Sequence, residues 1–156
     1  MSVHQLKRPP IFLITLALFL MQTGSSLAGE KVTSEILVSD SISWDGGDFE
    51  YSAGDPKITM QRIRVSPGSE ALTLPVHCHP VPLAAYVLKG GVTVVKDSGQ
   101  TEHFKSGDAF IEVMATWHQG IFSEDSELLV FYAGTVDAPL SIKPGTDAGS
   151  TSGCKQ

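Results

Sequence analysis

The stretch Leu74-Pro75-Val76-His77-Cys78-His79-Pro80, running on into Ala84-Ala85-Tyr86-Val87-Leu88-Lys89-Gly90-Gly91, decides how the rest of the chain reads. Two of the five histidines stand in it, one residue apart. In an extended strand alternate side chains leave the same face, so His77 and His79 project together while Cys78 points the other way. That is a chelate geometry. A third histidine, His118, follows a second strand-like run, Ala109-Phe110-Ile111-Glu112-Val113, just past a turn expected at Met114-Ala115-Thr116-Trp117. If this run folds back beside the first, three imidazoles converge, a donor set that suits Fe, Zn, Ni, Cu or Mn. Any one of these histidines could be a half-buried polar residue, and only their spacing and number favour a metal.

Working outward, strand-like runs recur at close intervals: Lys57 to Val65, Leu74 to His79, Ala84 to Leu88, Val92 to Lys96, Gln100 to Phe104, Ala109 to Val113, Trp117 to Phe122 and Glu127 to Tyr132. Pro67-Gly68, Gly90-Gly91, Asp97-Ser98-Gly99 and Lys105-Ser106-Gly107-Asp108 punctuate them as turns. The apolar phase of the first run slips between Met60 and Ile63, which predicts a bulge or a strand half covered on both faces. No stretch shows helical periodicity of useful length. The pattern predicts an all-β fold, a small antiparallel β-barrel of jelly-roll type.

The histidine stretch and its flanks resemble the first motif of the cupin superfamily, a His-x-His followed by a Glu and then by a strand-ending glycine. His77, His79 and Gly90 fall on that pattern. The second motif resembles Gly107-Asp108, a strand, and His118 after a turn. The resemblance runs from about Trp44 to Ser141 and is nearest to small cupin-2 type domains with a three-histidine site. The sequence departs from the pattern at Leu83, where the family's metal-binding Glu would stand, and at Val113 and Ala115, which replace the usual proline and glycine before the last histidine.

His77, His79 and His118 are therefore the candidate metal ligands, and a divalent transition metal the expected cofactor, Fe(II) foremost with Zn, Mn, Ni or Cu as the others. Three neutral ligands leave coordination positions open, as metal catalysis requires, and leave the metal its full charge, which favours an anionic substrate. Glu112 is the candidate catalytic acid or base, or a fourth ligand: an acidic residue in an apolar strand is costly unless paired, exposed or metal-bound. Its plainer reading is a solvent-facing position. Tyr86, Phe110 and Phe122 are expected as apolar neighbours of the site, Trp117 as core or cavity wall, Trp44 as a core aromatic and His103 as solvated. Two function classes fit, an iron-dependent oxygenase acting on a small molecule and a non-catalytic module that binds metal or a small ligand. No nucleophile with a histidine partner and no phosphate-cradling glycine loop stands out.

Residues 1–28 read as a secretory signal peptide: Lys7 and Arg8 precede the apolar run Ile11 to Met21, and Ser26-Leu27-Ala28 offers small residues for cleavage. A run of eleven residues is too short to span a membrane, so no stable anchor is expected after cleavage, and the location is expected to be periplasmic or secreted. The remainder divides into a barrel domain over 29–144 and a flexible Gly- and Ser-rich tail over 145–156. Without the leader the chain keeps 9 basic against 17 acidic residues, a net charge of −8. Nucleic acid is excluded as a partner by that balance and by the lack of a basic cluster. A homodimer is expected, because a small barrel with an edge strand and an outward Cys78 face has apolar surface to cover. The two cysteines, Cys78 and Cys154, invite a disulfide in an exported chain. Closing so long a loop with a floppy tail has an entropic cost, so the balance falls on free or intermolecular thiols.

Overall fold

Alternating inward and outward side chains and frequent turns give eight strands and, among the described residues, no helix. The structure is a computed structural model and describes residues 32–68, 71–146 and Cys154. The expected leader and most of the expected tail lie outside them. The strands are β1 (Pro56–Arg64), β2 (Leu72–Thr73), β3 (Leu83–Lys89), β4 (Gly91–Lys96), β5 (Thr101–Lys105), β6 (Ala109–Ile111), β7 (His118–Phe122) and β8 (Glu127–Thr135). They form two four-stranded sheets, ordered β1-β8-β3-β6 and β2-β7-β4-β5, with every pairing antiparallel. This order is that of an eight-stranded jelly roll, so the all-β expectation holds.

The core lies between the sheets. From the first come Leu83, Ala85 and Val87 of β3, Phe110 of β6, and Leu128, Val130 and Tyr132 of β8; from the second come Val92 and Val94, Phe104 and Phe122. Phe104 and Phe110 stack across the gap with ring centroids 3.8 Å apart. Gly90, at φ +66°, makes the turn from β3 to β4, and any side chain there would run into Ser126, whose Cα lies 2.8 Å from the position a Cβ would take.

Three expectations are corrected. The register of β1 against β8 runs without interruption from Pro56↔Thr135 to Arg64↔Glu127, so β1 has no bulge. Met60 simply faces outward opposite Phe131, both exposed, on a strand that forms the sheet edge. The ligand stretch is not one strand: only Leu72–Thr73 pairs as β2, and His77 and Cys78 make isolated bridges. Pro75 and Pro80 lack the N–H a continuous ladder needs. Tyr86 alternates outward from the buried Leu83, Ala85 and Val87, and so belongs to the outer face of its sheet.

Candidate metal centre

Strand pairing brings the three histidines together. His118 opens β7 opposite Lys96 of β4, and His77 pairs with it in an antiparallel bridge, each amide donating to the other's carbonyl at 2.9 Å. The turn between β6 and β7 is closed by Ala115, at φ +54°, whose N–H donates to the His79 carbonyl at 2.9 Å. Ring centroids lie 4.9 Å (His77 to His79), 4.5 Å (His77 to His118) and 5.0 Å (His79 to His118) apart. One nitrogen from each ring falls within 4.8 Å of the others.

Each imidazole is oriented by the backbone. Nδ1 bonds to the carbonyl of Pro75 in His77 (2.8 Å), of Leu140 in His79 (2.7 Å) and of Thr116 in His118 (2.9 Å). A carbonyl can only accept, so Nδ1 carries the proton in all three rings and Nε2 keeps its lone pair. This outer bonding is what orients a metal-binding imidazole. His118 Nε2 is fully buried and has no hydrogen-bond partner among the described residues, a polar atom that a protein interior rarely leaves so. A divalent metal fits this donor set. Burial also holds all three rings below the ordinary histidine range; for His79 burial is joined by the neighbouring His118 charge and the value falls to about 3. The rings therefore stay neutral, the form that coordinates, below the pH at which an ordinary imidazole would take up its proton. Acid release of a metal then shifts below the pH expected of free imidazoles.

Glu112 follows β6 and is buried, facing inward like Phe110 two residues before it, so it does not face solvent. Its Oε1 accepts two bonds, from Trp44 Nε1–H at 2.8 Å and from the Val113 N–H at 2.9 Å. Its own N–H donates to the Leu83 carbonyl at 3.2 Å. The carboxylate thus stands beside Leu83, across the β3–β6 pairing from the position where the cupin pattern has its Glu. Burial outweighs the two bonds and pushes Glu112 up to about 7. Tyr132, whose ring lies 5.8 Å from that of His79, is raised to about 12 by burial and the nearby Glu112 charge, and its hydroxyl donates to Gln61 at 3.3 Å.

In the metal-free protein, Glu112 retains a proton between pH 4.5 and 7 that the unfolded chain has lost, so its contribution to stability is lost as pH rises through 7. The histidines act oppositely, because below pH 6.5 the unfolded chain takes up protons that the buried rings refuse. Glu112→Gln keeps the acceptor and removes the charge. The metal-free variant is expected to exceed the parent in stability by about 3 kcal/mol at pH 8 and to match it near pH 4, measured by urea unfolding. An equal difference at both values would show that Glu112 is not held in its neutral form.

Sequence reasoning assigned Trp44 to the core, and its ring does meet Phe104 edge-on at 6.2 Å. Its indole N–H on Glu112 was not foreseen. Trp44 sits in a tight loop whose Asp45 carboxylate accepts from Ser43 Oγ and the Gly47 N–H and pairs with Lys96. The only available signal was Trp44-Asp45-Gly46-Gly47, which reads as a turn and gives no hint of a partner 68 residues away. Trp117 packs with Cys78 and Ile142 in a satellite core and does not line the cavity. His103 is exposed, as expected, and bonds Thr93 Oγ1 at 3.0 Å.

The cysteine expectation is also corrected: Cys78 and Cys154 form a disulfide. The entropic objection counted 76 residues of separation, but Ile142 is already bonded to Cys78 through both backbone groups, at 2.9 and 3.0 Å. Only the dozen residues after Ile142 remain to be closed. The segment that brings Ile142 there also supplies the Leu140 carbonyl to His79 and places Lys143 at the cavity. Cys78 is completely buried beneath it, so it does not present the outward apolar face expected from the sequence.

No protein-family model matches the sequence, and no curated protein matches it. Among solved structures the chain is similar to an oxalate oxidase in complex with the substrate analogue glycolate, at TM-score 0.44 and 20% identity, over 56% of this chain and 46% of that one. It is similar to the DMSP lyase DddQ from Ruegeria pomeroyi, at TM-score 0.45 and 16% identity, over 65% and 48%. An RmlC-like cupin from Shewanella frigidimarina is similar at TM-score 0.39 and 20% identity, over 65% and 97%. The chain spans less than half the length of the first two. These are likenesses of fold, and what the three histidines can do is read from their own geometry.

Proposed function

We propose that this chain is an exported cupin-domain metalloprotein in which His77, His79 and His118 hold one divalent transition metal, Fe(II) foremost, and that it acts as an oxygenase on a small molecule. The observation that carries the reading is the orphaned, buried Nε2 of His118 beside two imidazoles whose Nδ1 protons are likewise committed to carbonyls. A metal so held supplies a Lewis acid and, as iron, a one-electron couple. The chain's own residues do the rest. Glu112, fixed through Oε1 by Trp44 and Val113, is the group that gives or takes a proton. The apolar walls exclude water, and the cavity of about 500 Å³ admits a small substrate.

A second reading, a non-catalytic module for a metal or a small ligand, is favoured by Leu83, which puts an apolar side chain where the cupin pattern has a carboxylate. Export rests on the signal-peptide pattern of residues 1–28. Elemental analysis of protein recovered from the periplasm tests the reading. One equivalent of metal and an N-terminus at or near Gly29 are expected. Metal-free protein that binds none on addition, or an intact Met1, would overturn the corresponding part.

A further inference from the structure

The cavity is layered. Nearest the imidazoles, Glu112, Leu83 and Tyr132 form one row across the first sheet, with His118 on the second. Two residues further along each strand come Phe110, Ala85, Val130 and Gln61, paired across β6, β3, β8 and β1, and on the second sheet Gly120 and Val94. Beyond them lie Leu128 and Ile63, facing Phe122 and Val92. Read inward along the cavity face, β7, β8 and the run from Glu112 into β6 each turn from polar to apolar: Glu112 to Phe110, His118 to Phe122, and Tyr132 to Leu128. The Gln61 side chain reaches back to the Tyr132 hydroxyl and so belongs with the polar end. Polarity therefore changes along the cavity and not around it.

The two smallest lining residues, Ala85 and Gly120, both stand in the middle layer. Gly120 has an ordinary strand backbone, with no turn to make, and glycine inside a strand weakens it. A Cβ there would lie 3.2 Å from the Phe122 ring and 3.5 Å from Val92 Cγ2, so glycine leaves room for Phe122 to lie back against the strand. Two small residues at one depth keep a hollow open directly under the polar end.

Charge selects what that end accepts. Three neutral imidazoles leave a divalent cation its full charge. The one basic side chain that lines the cavity among the described residues, Lys143, adds to the same sign. We propose that the ligand is a small organic monoanion, a carboxylate carrying an aromatic or branched aliphatic body, with its head at the imidazole layer and its body in the hollow beside Ala85 and Gly120. A neutral ligand leaves the charge unanswered, and a polyanion wastes the apolar layers. The inference rests on the metal reading and goes beyond it by naming the ligand's class.

The test uses Co(II)-loaded protein, whose visible absorption reports the metal independently of any ligand, titrated calorimetrically with 3-phenylpropionate, propionate and 3-phenylpropanol. Phenylpropionate is expected to bind about ten- to a hundred-fold more tightly than propionate, the worth of burying a phenyl ring. It should also bind at least about tenfold more tightly than the uncharged alcohol. Ala85→Leu should keep the cobalt spectrum and propionate binding while it abolishes the preference for the phenyl compound. Gly120→Ala, a smaller change in the same layer, serves if Ala85→Leu does not fold, and should at least halve that preference. Equal binding of the two acids, equal binding of the alcohol, or a preference that survives the variant would overturn the inference while leaving the metal centre standing. A parent protein that shows no cobalt spectrum would overturn the metal reading and this inference with it.

Discussion

Replacing His118 with alanine is expected to lower metal affinity by more than about a hundred-fold, beyond the upper end of what changes to groups behind the ligands cost. The clearest readout is thermal. Metal at a thousand times its dissociation constant stabilises a protein that binds it only when folded by about 4 kcal/mol, which for a domain of this size raises the melting point by more than about 10 °C. The parent should show that rise with Zn(II), and His118→Ala should not. Without metal the two melting points should lie close, because alanine gives up ring packing and also removes a buried nitrogen that has no partner. Calorimetry with and without metal separates these terms. If the variant keeps the metal-dependent rise, the third arm of the chelate does not exist.

Cys154→Ser is the change with the next largest expected effect. Loss of the disulfide to Cys78 should destabilise the protein by about 2–4 kcal/mol and lower its melting point by about 10 °C. The same variant should weaken metal binding by about tenfold. The staple holds the segment whose Leu140 carbonyl fixes the proton of His79, and groups of that kind are worth ten- to a hundred-fold in metal affinity. Cys154 is the partner to change because Cys78 stands between two of the ligands. Zinc titration of oxidised parent and variant decides the matter, and unchanged affinity would mean that Leu140 stays in place without the staple.

The barrel could be read from the sequence because period-two alternation and turn residues are local signals, and seven of the eight strands fall close to runs such as Ala84 to Leu88 and Glu127 to Tyr132. The pair His77 and His79 was legible for the same reason, since residues i and i+2 share a face in extended chain, while His118 joins them through its bridge to His77. What stayed hidden depends on pairings between distant segments. Whether Glu112 faced in or out turned on where β6 lay against β3, and its Trp44 partner on a loop 68 residues earlier. Met60 misled because an exposed apolar residue on an edge strand breaks the phase without breaking the register. The disulfide was misjudged because loop length was counted along the chain, and the Ile142–Cys78 bridge that shortens it cannot be seen there.

The segment from Leu140 to Cys154 also sets a timetable. A chain made from its N-terminus has His77, His79 and His118 in hand while the carbonyl that orients His79, and the sulfur that holds that carbonyl's segment, are still to come. The site is thus among the last features to be finished, after the whole barrel has been synthesised, and only under conditions that oxidise thiols. Metal that arrives earlier meets a His79 ring still free to turn. An ion held there would then be the one on offer where folding ends, and the place of folding would become part of how the site is filled.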